Sequence, residues 1–122
     1  MRTRARAPSY WADTQNNLGA TLTELGKRGD SQALRDAITA LHAALEVHTR
    51  ADDPADWAEA QTNLGEALET QGDQGAGRAA YDAAIACYRA ALEAYTLERS
   101  AADHASVTLS LARAEQKLAK AR

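Results

Sequence analysis

The chain repeats one short stretch of sequence, and this repeat decides its fold. Residues 57–65 read Trp-Ala-Glu-Ala-Gln-Thr-Asn-Leu-Gly, and residues 11–19 read Trp-Ala-Asp-Thr-Gln-Asn-Asn-Leu-Gly. Six of the nine positions are identical, at an offset of 46 residues. Self-similarity at such a period is typical of stacked supersecondary units. The sequence therefore predicts a helical repeat architecture.

Apolar residues around both copies recur at helical spacing. The stripe of the first helix consists of Trp11, Leu18, Leu22 and Leu25. The stripe of the second helix consists of Leu34, Ile38, Leu41 and Leu45, and it returns 47 residues later as Tyr81, Ile85, Tyr88 and Leu92. A fifth helix, from about residue 102 to 120, has an apolar edge at Val107, Leu111, Ala114 and Leu118. The pattern predicts two helical hairpins and a closing helix.

The composition agrees with an all-α domain. The chain of 122 residues has two prolines and no phenylalanine, and alanine dominates, which favours helices over a sheet. Asp30 and Asp53 are predicted N-caps, and Pro54 suits the first position of a helix. We predict a basic flexible arm at 1–7 and a single domain at 8–122. The domain divides into repeat 1 (8–52), repeat 2 (53–100) and a closing helix (101–122).

Charge and cysteine usage exclude several classes of protein. Three arginines lie in the first six residues, which leaves 11 basic against 17 acidic side chains and a net charge of −6 in the remainder. This balance argues against nucleic acid as a ligand. No apolar run reaches the roughly 18 to 20 residues that cross a bilayer, so we expect no membrane partner. The lone Cys87 excludes an internal disulfide and favours a reducing, cytoplasmic location.

The repeated residues resemble the tetratricopeptide repeat superfamily. Leu18-Gly19 with Leu22 is similar to its first-helix signature, and Ala37, Leu41 and Ala44 are similar to that of the second helix. The same positions return as Leu64-Gly65 with Leu68, then Ala84, Tyr88 and Ala91. The resemblance covers residues 8–118, and the long repeat is similar to the kinesin-light-chain-like branch and to bacterial long-repeat arrays. It implies a right-handed α-solenoid of about two and a half repeats, whose first helices line a concave groove.

The groove face of each first helix lies opposite its apolar stripe, at about 100° per residue. In the first copy this face holds Asp13, Asn16, Ala20, Thr23 and Glu24, with Asn17 beside them. In the second copy it holds Glu59, Thr62, Glu66, Glu69 and Thr70, with Asn63 beside them. The last helix presents Ser106, Leu109, Arg113, Gln116 and Lys117. The expected groove is acidic along two units and basic in the third.

Other candidate sites favour a structural interpretation. The glycine-rich segment 72–78 has neither the preceding strand nor the Lys-Ser/Thr ending of a phosphate loop, so we predict an interhelical turn. His42 and His48 are expected on a solvated helix flank, His104 replaces a packing tryptophan, and no metal or cofactor is predicted. Cys87 is expected to be a small buried residue. Because no nucleophile has a base and an orienting carboxylate, we expect no enzymatic activity.

Asn17 and Asn63 are the stronger candidates for a specific role. Asparagine is a mediocre helix former, and here it returns at the same repeat position. One interpretation is a structural hydrogen bond between adjacent helices. The other, suggested by the resemblance, is an amide that binds the backbone of a peptide. The resemblance also implies a groove lysine where an acidic peptide terminus binds, and Asp13, Asn16 and Ala20 stand there instead.

The sequence thus predicts a module that binds a protein or peptide partner in its groove, with a basic or neutral segment favoured. The predicted partner-binding residues are Asp13, Asn16, Asn17, Glu24, Glu59, Asn63, Glu66, Glu69, Arg113 and Lys117. Two alternatives remain open: a self-assembling homo-oligomeric scaffold, and a piece of a longer array that regulates an attached effector domain.

Overall fold

The computed structural model describes residues 8–121, and within them the chain forms five α-helices and no strand. The helices are α1 (Pro8–Lys27), α2 (Ser31–Val47), α3 (Pro54–Gln71), α4 (Arg78–Ala94) and α5 (Ala101–Lys120). A single π-helical turn, Gly72–Ala76, follows α3. The all-α prediction is confirmed. The predicted basic arm lies outside the described residues.

The helices pack as two antiparallel pairs followed by α5. Helix α1 pairs with α2, α3 pairs with α4, and α3 also contacts both helices of the first pair. Helix α5 packs against α4. The largest core cluster joins α3, α4 and α5 around Tyr88, and it contains the predicted apolar edge of α5. No helix among the described residues is both long enough and apolar enough to cross a membrane.

The turns between helices follow from local sequence. The Asp30 carboxylate accepts a hydrogen bond from the backbone N–H of Ala33 at 2.9 Å, so the predicted N-cap of α2 is confirmed. The glycine-rich segment after α3 is an interhelical turn, as predicted, and Gly75 and Gly77 adopt positive φ angles of 111° and 75°. Such angles favour glycine because it lacks a Cβ. The predicted capping role of Asp53 is wrong, since its side chain makes no capping hydrogen bond.

Glycines on the first helix of each pair allow its partner to approach closely. A Cβ added at Gly19 would lie 2.5 Å from Cγ of Leu41, and one at Gly65 would lie 2.6 Å from Cε1 of Tyr88. Leu41 and Tyr88 are completely buried. The Leu-Gly pair of the repeat motif therefore sets the packing distance within each hairpin.

The predicted apolar stripe of α1 is correct only in part: Trp11 and Leu22 pack on core clusters, but the most buried face of the helix lies one residue further along. The buried residues of α1 are Ala12, Asn16, Gly19, Thr23 and Gly26. Four of them follow the predicted stripe residues directly, which is a rotation of about 100° around the helix. Leu18 and Leu25 are 44% and 43% exposed. The small residues face α2 because they permit the close approach, and this turns Leu18 and Leu25 outward, whereas Leu22 still packs on a core cluster.

The equivalent leucine of the second copy is buried. Leu64, the counterpart of Leu18, is only 4% exposed. It packs in a cluster with Ala37 and Leu41 of α2. This leucine of the repeat therefore contacts the preceding helix pair. Leu18 of the first copy has no such neighbour among the described helices and is exposed.

Candidate interaction site

A polar cavity of about 580 Å³ lies between α3, the π-helical turn and α5. It is lined by Lys27, Glu66, Glu69, Thr70, Asp73, Gln74, Ser106, Ser110, Arg113 and Lys117. Four of these residues belong to the predicted partner-binding set, namely Glu66, Glu69, Arg113 and Lys117. We call this feature the groove cavity.

Glu69 is the centre of an ion-pair network in the wall of the groove cavity. Its two carboxylate oxygens accept hydrogen bonds from Nε and Nη2 of Arg113 at 2.7 and 2.9 Å, and Nζ of Lys117 donates to Oε2 at 2.6 Å. The hydroxyl of Tyr88 donates to Oε1 at 2.8 Å. Glu69 is 4% exposed, so its predicted place on an open groove face is wrong. Glu69 lies on the side of α3 that contacts both Tyr88 of α4 and the cations of α5.

The network fixes the ionisation of its members. Burial by itself raises the pKa of Glu69, but the hydrogen bonds from Arg113, Lys117 and Tyr88 outweigh burial and lower its pKa to about 2. The hydrogen bond from Arg113 to Glu69 raises the pKa of the guanidinium in turn. Burial and the bond to Glu69 raise the pKa of the Tyr88 hydroxyl. Glu69 is therefore charged and Tyr88 is protonated at neutral pH.

Further ion pairs connect the rim of the groove cavity. Nζ of Lys117 lies 3.0 Å from Oδ2 of Asp73, and the hydroxyl of Tyr81 donates to Oδ1 of Asp73 at 2.8 Å. Nζ of Lys27 lies 3.9 Å from Oε2 of Glu66. The basic third unit is thus paired with Glu69 and Asp73 of the second unit across the cavity. The expectation of separate acidic and basic regions is wrong, because α5 folds its cations onto the carboxylates of α3.

The asparagines of the repeat link the two first helices. Nδ2 of Asn63 on α3 donates to Oδ1 of Asn16 on α1 at 2.9 Å, and Asn16 is buried. This is the structural bond between adjacent helices that was one of the two interpretations of Asn63. Asn16 was predicted on an open groove face and lies inside the α1–α3 interface instead. Asn17, one residue further along α1, is exposed.

The remaining predicted residues lie outside the groove cavity. Glu24 and Glu59 are exposed, and Glu24 accepts a hydrogen bond from Lys27 at 3.1 Å. Asp13 is exposed and bonds to His48. The ten predicted residues therefore do not form one continuous site. Their acidic members are distributed along α1 and α3.

Sequence reasoning missed a second polar cluster, at the junction of α1, α2 and α3. His48 is 1% exposed, so its predicted place on a solvated flank is wrong, whereas His42 is exposed as predicted. Nε2 of His48 lies 2.9 Å from Oδ1 of Asp13. Nδ1 lies 3.6 Å from Oδ2 of Asp53 and 4.0 Å from Oδ2 of Asp56. A ligand atom from each of Asp13, His48 and Asp56 lies within 4.8 Å of the others. We call these four residues the His48 cluster.

Cys87 carries no reactive thiol. Burial raises its pKa to about 11, so the thiol stays protonated at neutral pH and is a weak nucleophile. The side chain packs on the cluster that joins α2 to α3. The prediction of a small buried residue is therefore correct only in part, because Cys87 packs on the core but is half-buried.

Comparison with known proteins identifies the family. A family model described as "Soluble NSF attachment protein, SNAP" matches residues 4–121 of the chain. No curated protein and no solved structure was found to match it. The match supports a helical repeat fold similar to that of the tetratricopeptide repeat superfamily, but it does not support the kinesin-light-chain-like branch. It also supports a protein–protein interaction role and the absence of enzymatic activity. Since the match covers almost the whole chain, this protein belongs to the soluble NSF attachment protein family.

Proposed function

We propose that this chain is an adaptor that holds a segment of a partner protein in the groove cavity. The observation that carries the proposal is the cavity itself, which is open to solvent and bounded by hydrogen-bonding side chains from α1, α3, the π-helical turn and α5. Arg113 is 49% exposed at its side chain although it is bonded to Glu69, so it retains donors for a ligand. Seryl, threonyl and amide groups line the rest of the cavity.

The chemistry of the cavity favours a polar segment with balanced or positive charge. Three cationic residues, Lys27, Arg113 and Lys117, stand against three anionic residues, Glu66, Glu69 and Asp73. The body of the chain carries a net charge of −6 beyond the first six residues, which attracts basic partners at long range. We infer a partner that is neutral or basic, in a cytoplasmic setting. The family description names NSF, and this makes NSF the first partner to test.

Blocking the cavity tests this proposal. Ser106 lines the cavity and is exposed, so Ser106→Trp should fill the cavity without disturbing the core. Thr108 is exposed on the same helix and does not line the cavity, which makes Thr108→Trp the matched control. We expect Ser106→Trp to weaken binding of purified NSF, or of a partner captured from the native host, at least about tenfold. The control should bind like the unmodified chain.

Equal binding by both variants would exclude the groove cavity as the binding site. Circular dichroism and thermal unfolding of both variants establish that the helices are intact. Titration calorimetry with the purified partner then gives the affinity. A loss of binding in both variants would place the contact on α5 as a whole rather than in the cavity.

The exposed end of the stack favours a second candidate function, which is self-assembly. Leu18 and Leu22 line a shallow apolar depression together with Thr39, Ala40 and Ala43 of α2. The equivalent Leu64 of the second copy is covered by a neighbouring helix pair. A second chain, or a further repeat of a longer array, would cover Leu18 in the same way. The mass of the protein in solution, measured across concentrations, tests this candidate.

A further inference from the structure

The His48 cluster contains a buried imidazole nitrogen that has no hydrogen-bond partner among residues 8–121. Nδ1 of His48 makes no hydrogen bond to any residue that the structure describes, although the side chain is 1% exposed. On the other side of the ring, Nε2 lies 2.9 Å from a carboxylate oxygen of Asp13, which can only accept when it is ionised. Nε2 therefore carries the hydrogen in the neutral ring. The lone pair of Nδ1 is left without a donor, and burial of an unpaired polar atom is unfavourable.

Two carboxylates face this lone pair. Oδ2 of Asp53 lies 3.6 Å from Nδ1 and Oδ2 of Asp56 lies 4.0 Å from it, and both distances are too long for a hydrogen bond. Asp53 occupies the N-cap position of α3, yet its side chain does not cap the helix. Its carboxylate is therefore available to another group. A cation placed between the lone pair and the two carboxylates would interact favourably with all three groups.

We propose that Nδ1 of His48 and the carboxylates of Asp53 and Asp56 form a binding site for a divalent transition metal ion such as Zn²⁺. Zinc binds histidine nitrogen and carboxylate oxygen at about 2.0 to 2.2 Å, so tetrahedral ligand atoms lie roughly 3.3 to 3.5 Å apart. The observed Nδ1–oxygen separations of 3.6 and 4.0 Å are longer than this, so both aspartate side chains, which are partly exposed, must turn toward Nδ1 and toward each other to reach that geometry. Water completes the coordination.

Asp13 orients the ring for this role. A metal-binding histidine usually donates its other N–H to a carboxylate, which fixes the tautomer and makes the ligand nitrogen more basic. The bond from Nε2 of His48 to Asp13 has this form. The metal ion would connect the end of α2 with the start of α3. The hydrogen bond from His48 to Asp13 would connect both to α1. The nitrogen ligand favours Zn²⁺ and Co²⁺ over Mg²⁺ and Ca²⁺, which prefer oxygen.

The second repeat provides an internal comparison without the histidine. Tyr95 stands 47 residues after His48, Asp103 stands 47 residues after Asp56, and Glu59 stands 46 residues after Asp13. Burial first, and then the charges of Asp103, Glu59 and Asp56, raise the pKa of Tyr95 to about 12. The phenol stays protonated at neutral pH and offers no ligand comparable to an imidazole. The site is therefore specific to the first repeat.

A titration with the metal alone tests the proposal. The full chain, free of affinity tags, is titrated with ZnCl₂ in a calorimeter and with CoCl₂ in a visible spectrometer. We expect one ion per chain, with the absorption of tetrahedral Co²⁺ in the visible range. Zn²⁺ at about 100 times its dissociation constant should raise the melting temperature by roughly 5 to 10 °C, because the ion binds only the folded chain. CaCl₂ should cause no such shift.

Three variants separate the site from adventitious binding. His48→Tyr introduces the residue of the second repeat and should abolish the Co²⁺ spectrum. Asp56→Asn leaves the imidazole in place and should weaken Zn²⁺ binding at least about tenfold, as should loss of the orienting carboxylate in Asp13→Asn. His42→Tyr alters an exposed histidine outside the cluster and should bind like the unmodified chain.

Specific results would overturn the proposal. Zn²⁺ affinity equal to that of the unmodified chain in Asp56→Asn and His48→Tyr would place the ion elsewhere. Loss of binding in His42→Tyr would do the same. Equal shifts with Ca²⁺ and Zn²⁺ would show a diffuse acidic surface and no nitrogen ligand. If His48→Tyr fails to fold, Asp56→Asn still decides the question, because its exposed carboxamide keeps the size of the side chain.

Discussion

Glu69 shows at the scale of one residue how this fold converts a buried charge into a stabilising contact. The carboxylate lies on α3 and binds donors from α4 and α5. Removing one partner of a buried ion pair usually leaves a costly unpaired charge. If Glu69 is removed, that cost is reduced, because Arg113 and Lys117 are partly exposed and water can hydrate them. Tyr88, by contrast, is completely buried, so its hydroxyl has no water to replace the bond to Glu69.

We expect Glu69→Gln to lower the free energy of unfolding by about 1 to 3 kcal/mol at pH 7, measured by urea denaturation. The pKa of Glu69 lies near 2 in the folded chain, below its ordinary value of 4.5. Its stabilising contribution is therefore complete above about pH 5 and declines as the pH falls toward 2. The difference between the two proteins should shrink by on the order of 2 kcal/mol between pH 7 and pH 3.

Glu66→Gln is the matched control for this prediction. Glu66 lies one turn earlier on α3 and pairs only loosely with Lys27 at 3.9 Å. An exposed pair of this kind contributes less than about 1 kcal/mol. If Glu69→Gln were as stable as Glu66→Gln at pH 7, the network would contribute nothing to the fold, and Glu69 would be free to act in binding.

The sequence could predict the elements but not these contacts. The repeated Leu-Gly pair and the helical spacing located all five helices, because those signals are local. The bonds from Arg113 to Glu69 and from Asn63 to Asn16 join residues more than 40 positions apart. The position of Glu69 in the repeat corresponds to that of Thr23, so periodicity gives no reason to expect a buried carboxylate there. His48 was missed because its counterpart Tyr95 lies outside the compared motifs.

At the scale of the helices, the error in the α1 stripe has a physical cause. The sequence pattern assigns the buried face of the helix to large apolar residues, whereas two helices that approach closely bury their small residues. In α1 the glycines face Leu41 and Leu34, and Leu18 and Leu25 face away. The repeat comparison alone does not reveal this, because Leu18 and Leu64 are identical residues in different surroundings.

This packing leads to a prediction for Gly65→Ala. Alanine is the better helix former by about 1 kcal/mol, but its Cβ would lie 2.6 Å from the ring of Tyr88. The ring cannot move freely, because its hydroxyl is bonded to Glu69. We expect overpacking to prevail and to lower the free energy of unfolding by about 1 to 3 kcal/mol in chemical denaturation.

Ala112 provides the control for this prediction. It stands 47 residues after Gly65 on α5 and is exposed. Ala112→Gly should cost only about 0.5 to 1 kcal/mol, from helix propensity. A stabilised Gly65→Ala chain would mean that the α3–α4 hairpin is looser than the distances indicate.

The whole molecule has an exposed apolar surface at the end formed by α1 and α2. Leu18 lies there beside Leu22, and the second repeat shows how another helix pair would cover it. A contact between this end and a different surface of a second chain is heterologous, and such contacts continue into chains of molecules unless they close into a ring. An adaptor that binds its partner in the groove cavity can work as a monomer and needs no contact between copies at Leu18.

The self-assembling alternative therefore predicts a mass that rises with concentration, measured by analytical ultracentrifugation at low and high micromolar concentrations. Leu18→Glu places a charge in the apolar depression and should hold the chain at the monomer mass. Asn17→Glu adds the same charge about 100° around the helix and should leave the association intact. If the unmodified chain has the monomer mass at every concentration, the contact at Leu18 does not exist between copies of this chain. The adaptor would then act alone, with the groove cavity as its binding surface.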